Sequence, residues 1–254
     1  MEVRILGSGT SSGVPRVGND WGACDPAQPR NRRRRAAILV THGRTRILVD
    51  TPPDLREQLL EADVSDVDAV IWTHDHADHC HGIDDLRQLY HARRRPVIGY
   101  ARQETLDSLR LRFAYAFDGK GGYPAVSEPR LLPDHINVNG LSIRTLDQPH
   151  GSITTAGLRF DAEGKTIVYS TDFNELTPEM QMAFQGVDLW IVDALRRRPH
   201  PTHPHLDQAL AWIAELRPQR AVLTHMDNSM DYDTLCGELP EGVEPAYDGM
   251  EIGV

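Results

Sequence analysis

The sequence is poor in cysteine and has no long hydrophobic run. Its three cysteines, Cys24, Cys80 and Cys236, are an odd and widely separated set, which predicts no disulfide framework and favours a reducing compartment. No apolar segment approaches the roughly 20 residues of a membrane-spanning helix, and the first residues lack the basic and then apolar pattern of a signal peptide. We therefore expect a cytoplasmic protein without a membrane partner.

Positive charge is also scarce. The 254 residues include 27 Lys and Arg against 37 Asp and Glu, and the formal net charge of −10 argues against broad, non-specific binding to nucleic acid. Charged residues make up 25% and hydrophobic residues 40%, which is ordinary for a globular protein and excludes a disordered or collagen-like chain. Because no linker rich in Pro, Gly or Ser divides the sequence, we expect a single domain over residues 1–254.

Three arginine-rich runs stand out against this acidic background, at Arg30–Arg35, Arg93–Arg95 and Arg196–Arg198. We interpret them as solvated charge on loops. The alternative is a docking patch for an anion, because the arginine fork matches phosphate oxygens. Both interpretations remain open at the level of sequence.

Short apolar runs alternate with helical patterns along the chain. Ile38–Val40 and Ile47–Val49 predict a hairpin, for example, while Thr105–Phe117 and Leu206–Leu216 predict helices. Strands grouped into meanders, with helices between them, predict an α+β architecture in which sheets pack together and helices cover them.

The densest set of metal-binding side chains follows the apolar strand Ala69–Trp72 directly. In an extended stretch His74 and His76 point the same way, because side chains alternate. A turn after them would bring Asp78 and His79 to a second position nearby. This H-x-H-x-D-H spacing of nitrogen and oxygen donors suits two adjacent metals better than one.

Three further metal-capable residues follow predicted strands. They are His150 after Ser142–Leu146, Asp172 after Thr166–Ser170, and His225 after Ala221–Leu223. Functional groups often lie on the loops that rigid strands position. A single such residue is usually part of a turn, but together with the histidine motif they predict one metal site.

This ordered set, H-x-H-x-D-H followed by a lone His, an Asp and a final His, resembles the ligand set of the metallo-β-lactamase-fold hydrolases. The resemblance covers nearly the whole chain and implies an αββα sandwich of two mixed β-sheets flanked by helices, with the site at one edge. It implies two divalent metal ions with three ligands each and one shared ligand. The first metal would be held by His74, His76 and His150, the second by Asp78, His79 and His225, and both would be bridged by Asp172.

The donor atoms restrict both the branch of the superfamily and the choice of metal ion. Every ligand position is filled, which implies a catalytic member of the superfamily. A carboxylate at Asp172 disfavours antibiotic hydrolysis, because the β-lactamases typically place a cysteine there. Donors of oxygen and nitrogen suit zinc, manganese or iron.

Within that superfamily the chain most resembles the accessory phosphodiesterases of the carbon–phosphorus lyase pathway. The resemblance rests on the Gly-rich segment Leu6–Pro15, on Thr202–Leu206 with His203 at the position of the catalytic histidine, on Leu223–His225, and on Tyr247–Val254. It implies hydrolysis of a small cyclic phosphodiester of the phosphoribosyl 1,2-cyclic phosphate type, and a place in phosphonate metabolism.

One departure from that family concerns a second kind of metal site. Some members carry a structural zinc, held by clustered cysteines after the first loop and by a histidine just past the final metal ligand. Here the matching stretch Asn19–Cys24 keeps a single cysteine, and Asn228 stands where the histidine would be. One thiol cannot build a closed four-ligand site, so we expect no structural zinc. Loop 16–35 would then be held by packing, for example of Trp21, or by partner contacts.

The expected mechanism uses both metals and a histidine. Two metals roughly 3.5–4 Å apart can hold a bridging hydroxide as nucleophile and clamp the oxygens of a phosphodiester. We expect His203 to protonate the leaving group, with His205 as the alternative donor or as a helix cap. Asp78 is the second predicted catalytic residue. Asp75 is expected to support a metal ligand without binding the metal itself. The Gly7–Gly13 loop is expected to shape the floor of the site.

Other functions share the same fold or site. Nucleases of the tRNA 3′-processing type usually carry an extended arm, but the candidate insertion here, Phe113–Pro133, is short and not basic. A thioesterase or lactonase would use the same metals, and a non-enzymatic binding module is disfavoured by the complete ligand set. We therefore expect a small phosphodiester as partner and not a large nucleic acid. The relatives suggest a homodimer, in which Tyr115, Phe117 and Tyr123 would line an interface or a substrate lid, unless they belong to the core.

Overall fold

Fourteen strands form two seven-stranded sheets in the computed structural model, which describes residues 1–254. The strands are, in chain order, β1 (Glu2–Gly7), β2 (Ala37–His42), β3 (Thr45–Val49), β4 (Ala69–Ile71), β5 (Val97–Ala101), β6 (Ser127–Leu131), β7 (His135–Val138), β8 (Leu141–His150), β9 (Ile153–Ala162), β10 (Lys165–Ser170), β11 (Leu189–Asp193), β12 (Arg220–Thr224), β13 (Val243–Pro245) and β14 (Glu251–Gly253). The first sheet has the order β14-β1-β2-β3-β4-β5-β6 and the second the order β13-β12-β11-β10-β9-β8-β7. Each sheet joins an antiparallel half to a parallel half, so both sheets are mixed.

Eight α-helices lie between the strands. They are α1 (Leu55–Glu61), α2 (Ala77–Cys80), α3 (Leu86–Arg93), α4 (Gln103–Arg112), α5 (Ala114–Asp118), α6 (Pro178–Phe184), α7 (Leu206–Leu216) and α8 (Tyr232–Glu238). Short 3-10 helices span Pro29–Asn31 and Ile83–Asp85. The longest helix, α7, has 11 residues, and no helix has the length and apolarity that a membrane crossing requires.

The two sheets pack face to face because apolar side chains alternate along their strands. Ile38 and Val40 of β2 point into the core between the sheets, together with Leu158 and Phe160 of β9. The intervening Leu39 belongs to a separate core on the outer face of the first sheet, as period-two alternation requires. The inner core therefore consists of one face from each sheet.

Helices cover both outer faces. On the first sheet, α1 and α3 bury Leu55 and Leu86 against the strands. On the second, α7 buries Ile213, and the ring of Trp212 stacks on Phe173 with centroids 5.2 Å apart. The predicted αββα sandwich of two mixed sheets flanked by helices is confirmed.

Two details differ from the sequence prediction. The helix predicted over Thr105–Phe117 is divided into α4 and α5, because Phe113 leaves the helical conformation at φ −124° and ψ 38° and sets its ring edge-on to His81. The strands β6, β7 and β13 are not anticipated by the pattern. All three lie at sheet edges, where partial exposure removes the apolar alternation that marks a strand.

We predict that truncation in the inner core is costly. Leu158 is fully buried between the sheets, so Leu158→Ala should lower the free energy of unfolding by about 2–5 kcal/mol, since the cavity adds to the lost burial. Leu111 on α4 is 85% exposed, and Leu111→Ala should change the free energy of unfolding by less than about 0.5 kcal/mol. Urea unfolding of both metal-free variants measures the difference. Equal costs would contradict this assignment of the core.

Candidate metal centre

The histidine motif lies in the loop and short helix that follow β4. His74 and His76 precede α2, and the helix itself carries Asp78 and His79. The short helix turns the chain, so the second pair of donors is displaced from the first. The motif thus presents two donor pairs from one edge of the first sheet.

A first donor group combines this loop with the second sheet. One ligand atom from each of four residues lies within 4.8 Å of the others, the residues being His74, His76, His150 and Asp172. Nε2 of His74 is 3.8 Å from Oδ1 of Asp172, and Nε2 of His150 is 3.9 Å from the same oxygen. His150 ends β8, and Asp172 lies just past β10.

A second donor group faces the other oxygen of the same aspartate. It contains Asp78, His79 and His225. Nε2 of His79 and Nε2 of His225 lie 3.2 and 3.5 Å from Oδ2 of Asp172, and 3.4 and 3.6 Å from Oδ2 of Asp78. Four donors placed tetrahedrally about a cation at about 2.1 Å would be about 3.4 Å apart, so this spacing fits a bound metal ion.

The protonation pattern of the ligand rings also fits metal binding. Nδ1 of His150 donates to the carbonyl oxygen of Thr202 (2.8 Å), an acceptor that fixes the proton on Nδ1. Nδ1 of His79 donates to the carboxylate of Asp50 (2.7 Å). The Nε2 atoms of His74, His79 and His225 are buried without a hydrogen-bond partner. Buried imidazole nitrogens are costly to leave unpaired, and cations held by the two donor groups would satisfy them.

The pKa values of the histidines also fit a site for positive charge. Burial lowers the pKa of His74 well below its usual value, which keeps this ring neutral. Burial would also lower the pKa of His225, but the carboxylates of Asp172 and Asp193 raise it to about 9. The pKa of His79 is held well above its usual value by Asp172 and other carboxylates, against the effect of burial. In the metal-free protein, protons therefore supply the positive charge that this carboxylate cluster needs.

Three functional residues share an uncommon backbone conformation. Asp50, Asp172 and His225 follow β3, β10 and β12 with φ of 67°, 55° and 58°. A left-handed residue at a strand end turns the chain away at once, which lets the side chain project over the sheet edge. Non-glycine residues adopt this region seldom, Asp and His more readily than most. Three of the nine non-glycine residues with positive φ thus lie at the site.

The sequence analysis missed two residues that orient the site. Asp50 accepts hydrogen bonds from the backbone N (2.8 Å) and Oγ1 (2.9 Å) of Thr73 and from His79. Asp193, the last residue of β11, accepts from the backbone N of Asp172 (3.0 Å) and from Nδ1 of His203 (2.7 Å). Both follow or end a predicted strand, the same signal that singled out Asp172.

Of the two candidate proton donors, His203 lies at the site. Its Nε2 is 3.8 Å from Oδ1 of Asp172, and its ring stacks on His225 with centroids 5.0 Å apart. It is 8% exposed, so it borders both the buried ligands and solvent. His205 instead occupies the N-cap position of α7, where its side chain makes no capping hydrogen bond.

The remaining motif residues have other surroundings. The carboxylate of Asp75 accepts a hydrogen bond from Ser108 (2.5 Å) and lies 3.4 Å from Arg112, so it ties the motif to α4 and does not support a ligand ring as expected. In the Gly7–Gly13 loop, the backbone of Thr10 donates to Met226 O (3.2 Å), one residue past His225. That loop therefore lies beneath the second donor group.

The interpretation of Arg30–Arg35 as solvated charge is wrong at its centre. Arg33 is 2% exposed and donates to the carbonyl oxygens of Met230 (2.6 Å) and Asp227 (3.3 Å). Its guanidinium is 3.8 Å from Sγ of the buried Cys24. A buried cation thus joins the loop around Cys24 to the loop that follows His225. The expectation that no structural zinc binds here stays a prediction.

The three aromatic residues of the 113–126 region separate in the structure. Phe117 is buried and packs edge-on against Trp72 at 5.9 Å, so it belongs to the core. Tyr115 and Tyr123 are exposed and line a cavity of about 340 Å³ with Asp84. The homodimer remains a prediction.

Comparison with known proteins agrees with the fold and with the position of the metal centre. The profile of a family described as Beta-lactamase superfamily domain matches residues 45–226, which include all seven predicted ligands. A protein named octanoyltransferase from Porphyromonas gingivalis is 34% identical over 99% of this chain and 51% of that protein. The chain therefore spans about half the length of that relative.

Two solved structures are similar over the full chain. A diphosphatase from the PhnP family is 32% identical with a TM-score of 0.91, covering 100% of this chain and 97% of that chain. Zn²⁺-bound PqqB from Methylobacterium extorquens is 21% identical with a TM-score of 0.79, covering 100% of both chains, and shows the fold alone.

Metal binding should release protons. His79 and His225 must lose theirs to coordinate a cation, so zinc binding near pH 7 should expel about two protons per chain. Because their pKa values are raised, this competition weakens as the pH rises through about 9 and the apparent affinity increases. Calorimetric titration in two buffers of different ionisation enthalpy measures the release. A binding heat that is identical in both buffers would contradict the prediction.

Asp50 should tune metal affinity, whereas Asp75 should not. Asp50→Asn weakens the acceptor that orients His79, and loss of such a partner lowers metal affinity by about 10–100-fold. Asp75→Asn is the matched control, because this carboxylate contacts Ser108 and Arg112. Competition with a chromophoric chelator gives both affinities, and thermal melting of the metal-free variants checks folding. Equal affinities in the two variants would refute the role of Asp50.

Proposed function

The chain belongs to the Beta-lactamase superfamily and is a metallo-hydrolase of that fold, and on this premise we propose that it is a phosphodiesterase acting on a small cyclic phosphodiester of the phosphoribosyl 1,2-cyclic phosphate type. The observation that carries the proposal is the pair of donor groups that meet at the two oxygens of Asp172. Two adjacent cation sites suit the two non-bridging oxygens of a phosphodiester.

The donor set specifies which residues would hold the cations. His74, His76 and His150 would bind one ion, and Asp78, His79 and His225 the other, with Asp172 between them. Two divalent cations bound there would lower the pKa of a coordinated water and neutralise charge on the phosphate oxygens. We propose zinc or manganese, with iron as a further option, because all donors are nitrogen or oxygen.

His203 would donate a proton to the leaving group. When water adds to phosphorus, the bond from phosphorus to a sugar oxygen breaks, and that oxygen takes up a proton. Nε2 of His203 lies 3.8 Å from Oδ1 of Asp172, while its Nδ1 donates to the carboxylate of Asp193 (2.7 Å), which orients the ring. His203 is therefore placed to donate this proton, and proton transfer of this kind contributes about 10²–10⁴-fold to a rate.

Charge and architecture favour a small substrate. The net charge of −10 opposes a long polyanion such as tRNA. The segment Phe113–Pro133 forms α5 and the edge strand β6 and is thus part of the first sheet's half of the sandwich, and not an extended arm. The similarity to a diphosphatase supports chemistry at a bond between phosphorus and oxygen.

A second candidate is hydrolysis of an acyl ester or thioester. It is favoured by the similarity to a protein named octanoyltransferase, although the chain spans about half of that protein. The same metals would polarise a carbonyl oxygen in place of a phosphate. The two candidates differ in which substrate class turns over when the metals are bound.

The test uses two phosphodiesters with different leaving groups. Metal-loaded protein should hydrolyse both bis(p-nitrophenyl) phosphate and a ribosyl 1,2-cyclic phosphate, and Asp172→Ala should abolish both activities. His203→Ala should slow the cyclic substrate by about 10²–10⁴-fold, because a sugar alkoxide needs a proton to leave. The same variant should slow the nitrophenyl ester by less than about tenfold, since nitrophenolate leaves without one.

His205→Ala is the matched control, two residues from His203 and outside the site, and should retain activity on both substrates. Equal losses on both substrates in His203→Ala would contradict the proton-donor role. If two metals are bound but neither phosphodiester turns over, the phosphodiesterase proposal is wrong. Turnover of octanoyl thioesters under those conditions would favour the second candidate.

A further inference from the structure

The hydrogen-bond ladder between β9 and β10 ends before it reaches the metal centre. Its last pair is Tyr169 with Leu158, although β9 itself runs back to Ile153. Thr171 and Asp172, which follow β10, therefore lie outside the ladder, and both are buried. Buried carbonyl groups outside a ladder need other donors, because an unpaired one is costly.

Two buried side chains supply these donors. Oγ1 of Thr155 donates to the carbonyl oxygen of Asp172 (2.9 Å), and Nε2 of Gln148 donates to the carbonyl oxygen of Thr171 (3.2 Å). Nε2 of Gln148 also donates to Oγ1 of Thr155 (3.1 Å). The two residues are buried and lie directly opposite each other on β8 and β9. We call these two side chains the Gln148–Thr155 bracket.

The hydrogens of the bracket are all used, and in one direction. A side-chain amide nitrogen has two hydrogens, which go to Thr155 and Thr171, and a threonine hydroxyl has one, which goes to Asp172. Oε1 of Gln148 stays buried without a partner, so this amide is placed for its nitrogen. Gly157 leaves room for it, since a Cβ there would lie 2.5 Å from Oε1.

The bracket also lies close to ligands on either side of the shared aspartate. Ala156, the next residue of β9, donates its backbone N to the carbonyl oxygen of Thr73 (2.9 Å), which directly precedes the ligand His74. Gln148 is two residues before the ligand His150 on β8, and residues two apart project from the same face of a strand. The bracket therefore connects the turn at the shared aspartate to strands that carry or contact the other ligands.

We propose that Gln148 and Thr155 are positioning residues for the metal centre, which hold the turn at Asp172 so that its two carboxylate oxygens reach both donor groups. Asp172 has a φ of 55°, a conformation that non-glycine residues seldom adopt without support from their surroundings. Without the bracket its carbonyl oxygen would be buried and unpaired, and relaxation of the turn would displace the carboxylate that both groups share. The inference rests on the two-metal centre of the proposed function.

The first test separates the hydroxyl of Thr155 from the shape of the side chain. Thr155→Val removes the hydroxyl and keeps the branched shape, and it should weaken zinc binding by about 10–100-fold, the loss typical of partners that orient metal ligands. Thr155→Ser keeps the hydroxyl and should restore nearly native zinc affinity. Competition with a chromophoric chelator measures both. Native zinc affinity in Thr155→Val would overturn the proposal.

Thr145→Val is the matched control for loss of a buried hydroxyl. Thr145 lies on β8 and is 2% exposed, and its hydroxyl has no hydrogen-bond partner. The variant should therefore bind zinc as the native protein does. Thermal melting of all metal-free variants checks that they fold. Equal losses of affinity in Thr145→Val and Thr155→Val would show a general effect of the core and would also overturn the proposal.

The two members of the bracket should act as one unit. Gln148→Met keeps the length of the side chain and removes both donor hydrogens, so it should weaken zinc binding as Thr155→Val does. In the double variant the loss should be clearly smaller than the product of the two single losses, because groups in one hydrogen-bonded chain are not additive. Losses that multiply would overturn a joint action through Asp172.

Cobalt gives a readout that depends on neither stability nor turnover. The visible absorption of bound Co²⁺ reports the ligand geometry, so it should change in Thr155→Val and stay native in Thr155→Ser and Thr145→Val. A lower melting temperature in Thr155→Val with native cobalt absorption and zinc affinity would show a purely structural role and overturn the proposal.

The metal readouts also separate the bracket from the proposed function. Weakened zinc binding in Thr155→Val, together with no phosphodiester turnover by the metal-loaded native protein, would support the bracket and refute the proposed function alone. Phosphodiester turnover by the native protein, together with native zinc binding in Thr155→Val, would refute the bracket alone.

Discussion

Asp172 is 2% exposed, and a negative charge in such a position is stable only where positive charge meets it. Its two oxygens face different sets of imidazoles, with His74, His150 and His203 near one and His79 and His225 near the other. Protons on the rings or two cations between them can supply the charge. The arrangement of both donor groups, and the chemistry available to them, follows from this single buried group.

The sandwich brings these side chains together because its parallel strands end at common edges. β10, β11 and β12 run parallel, so Asp172, Asp193 and the histidine after β12 meet above one sheet. β3 and β4 do the same for Asp50 and the histidine motif above the other. Left-handed φ values at Asp50, Asp172 and His225 turn the chain sharply at three of these strand ends. The local backbone cost is accepted where the tertiary structure needs a sharp change of direction.

Much of this site was readable in the sequence, and the reasons for the omissions are specific. A run of donors such as His74 to His79 rarely has another explanation, and it gave meaning to isolated residues after other strands. Asp50 and Asp193 obey the same strand-end rule, but a lone aspartate after a strand is also a common turn residue, and their role depends on which ring lies opposite. Arg33 was misread because burial of a guanidinium depends on distant carbonyl oxygens that no local pattern reveals. The break at Phe113 has the same origin. The apolar spacing continues through this position, and the edge-on contact of its ring with His81 is a tertiary interaction that the local pattern does not reveal.

Each donor group draws its members from both sheets, with the motif contributed by the first and His150, Asp172 and His225 by the second. Neither half of the chain contains all the members of either of these two groups, although Asp172, Asp193, His203 and His225 of the second half also lie close enough together to hold a cation. A nascent chain that has emerged only as far as β6 lacks His150, Asp172 and His225, and so could complete neither of the two donor groups. A cation held by either of these two groups would therefore join the two sheets, and its coordination would have to break before the sheets could separate.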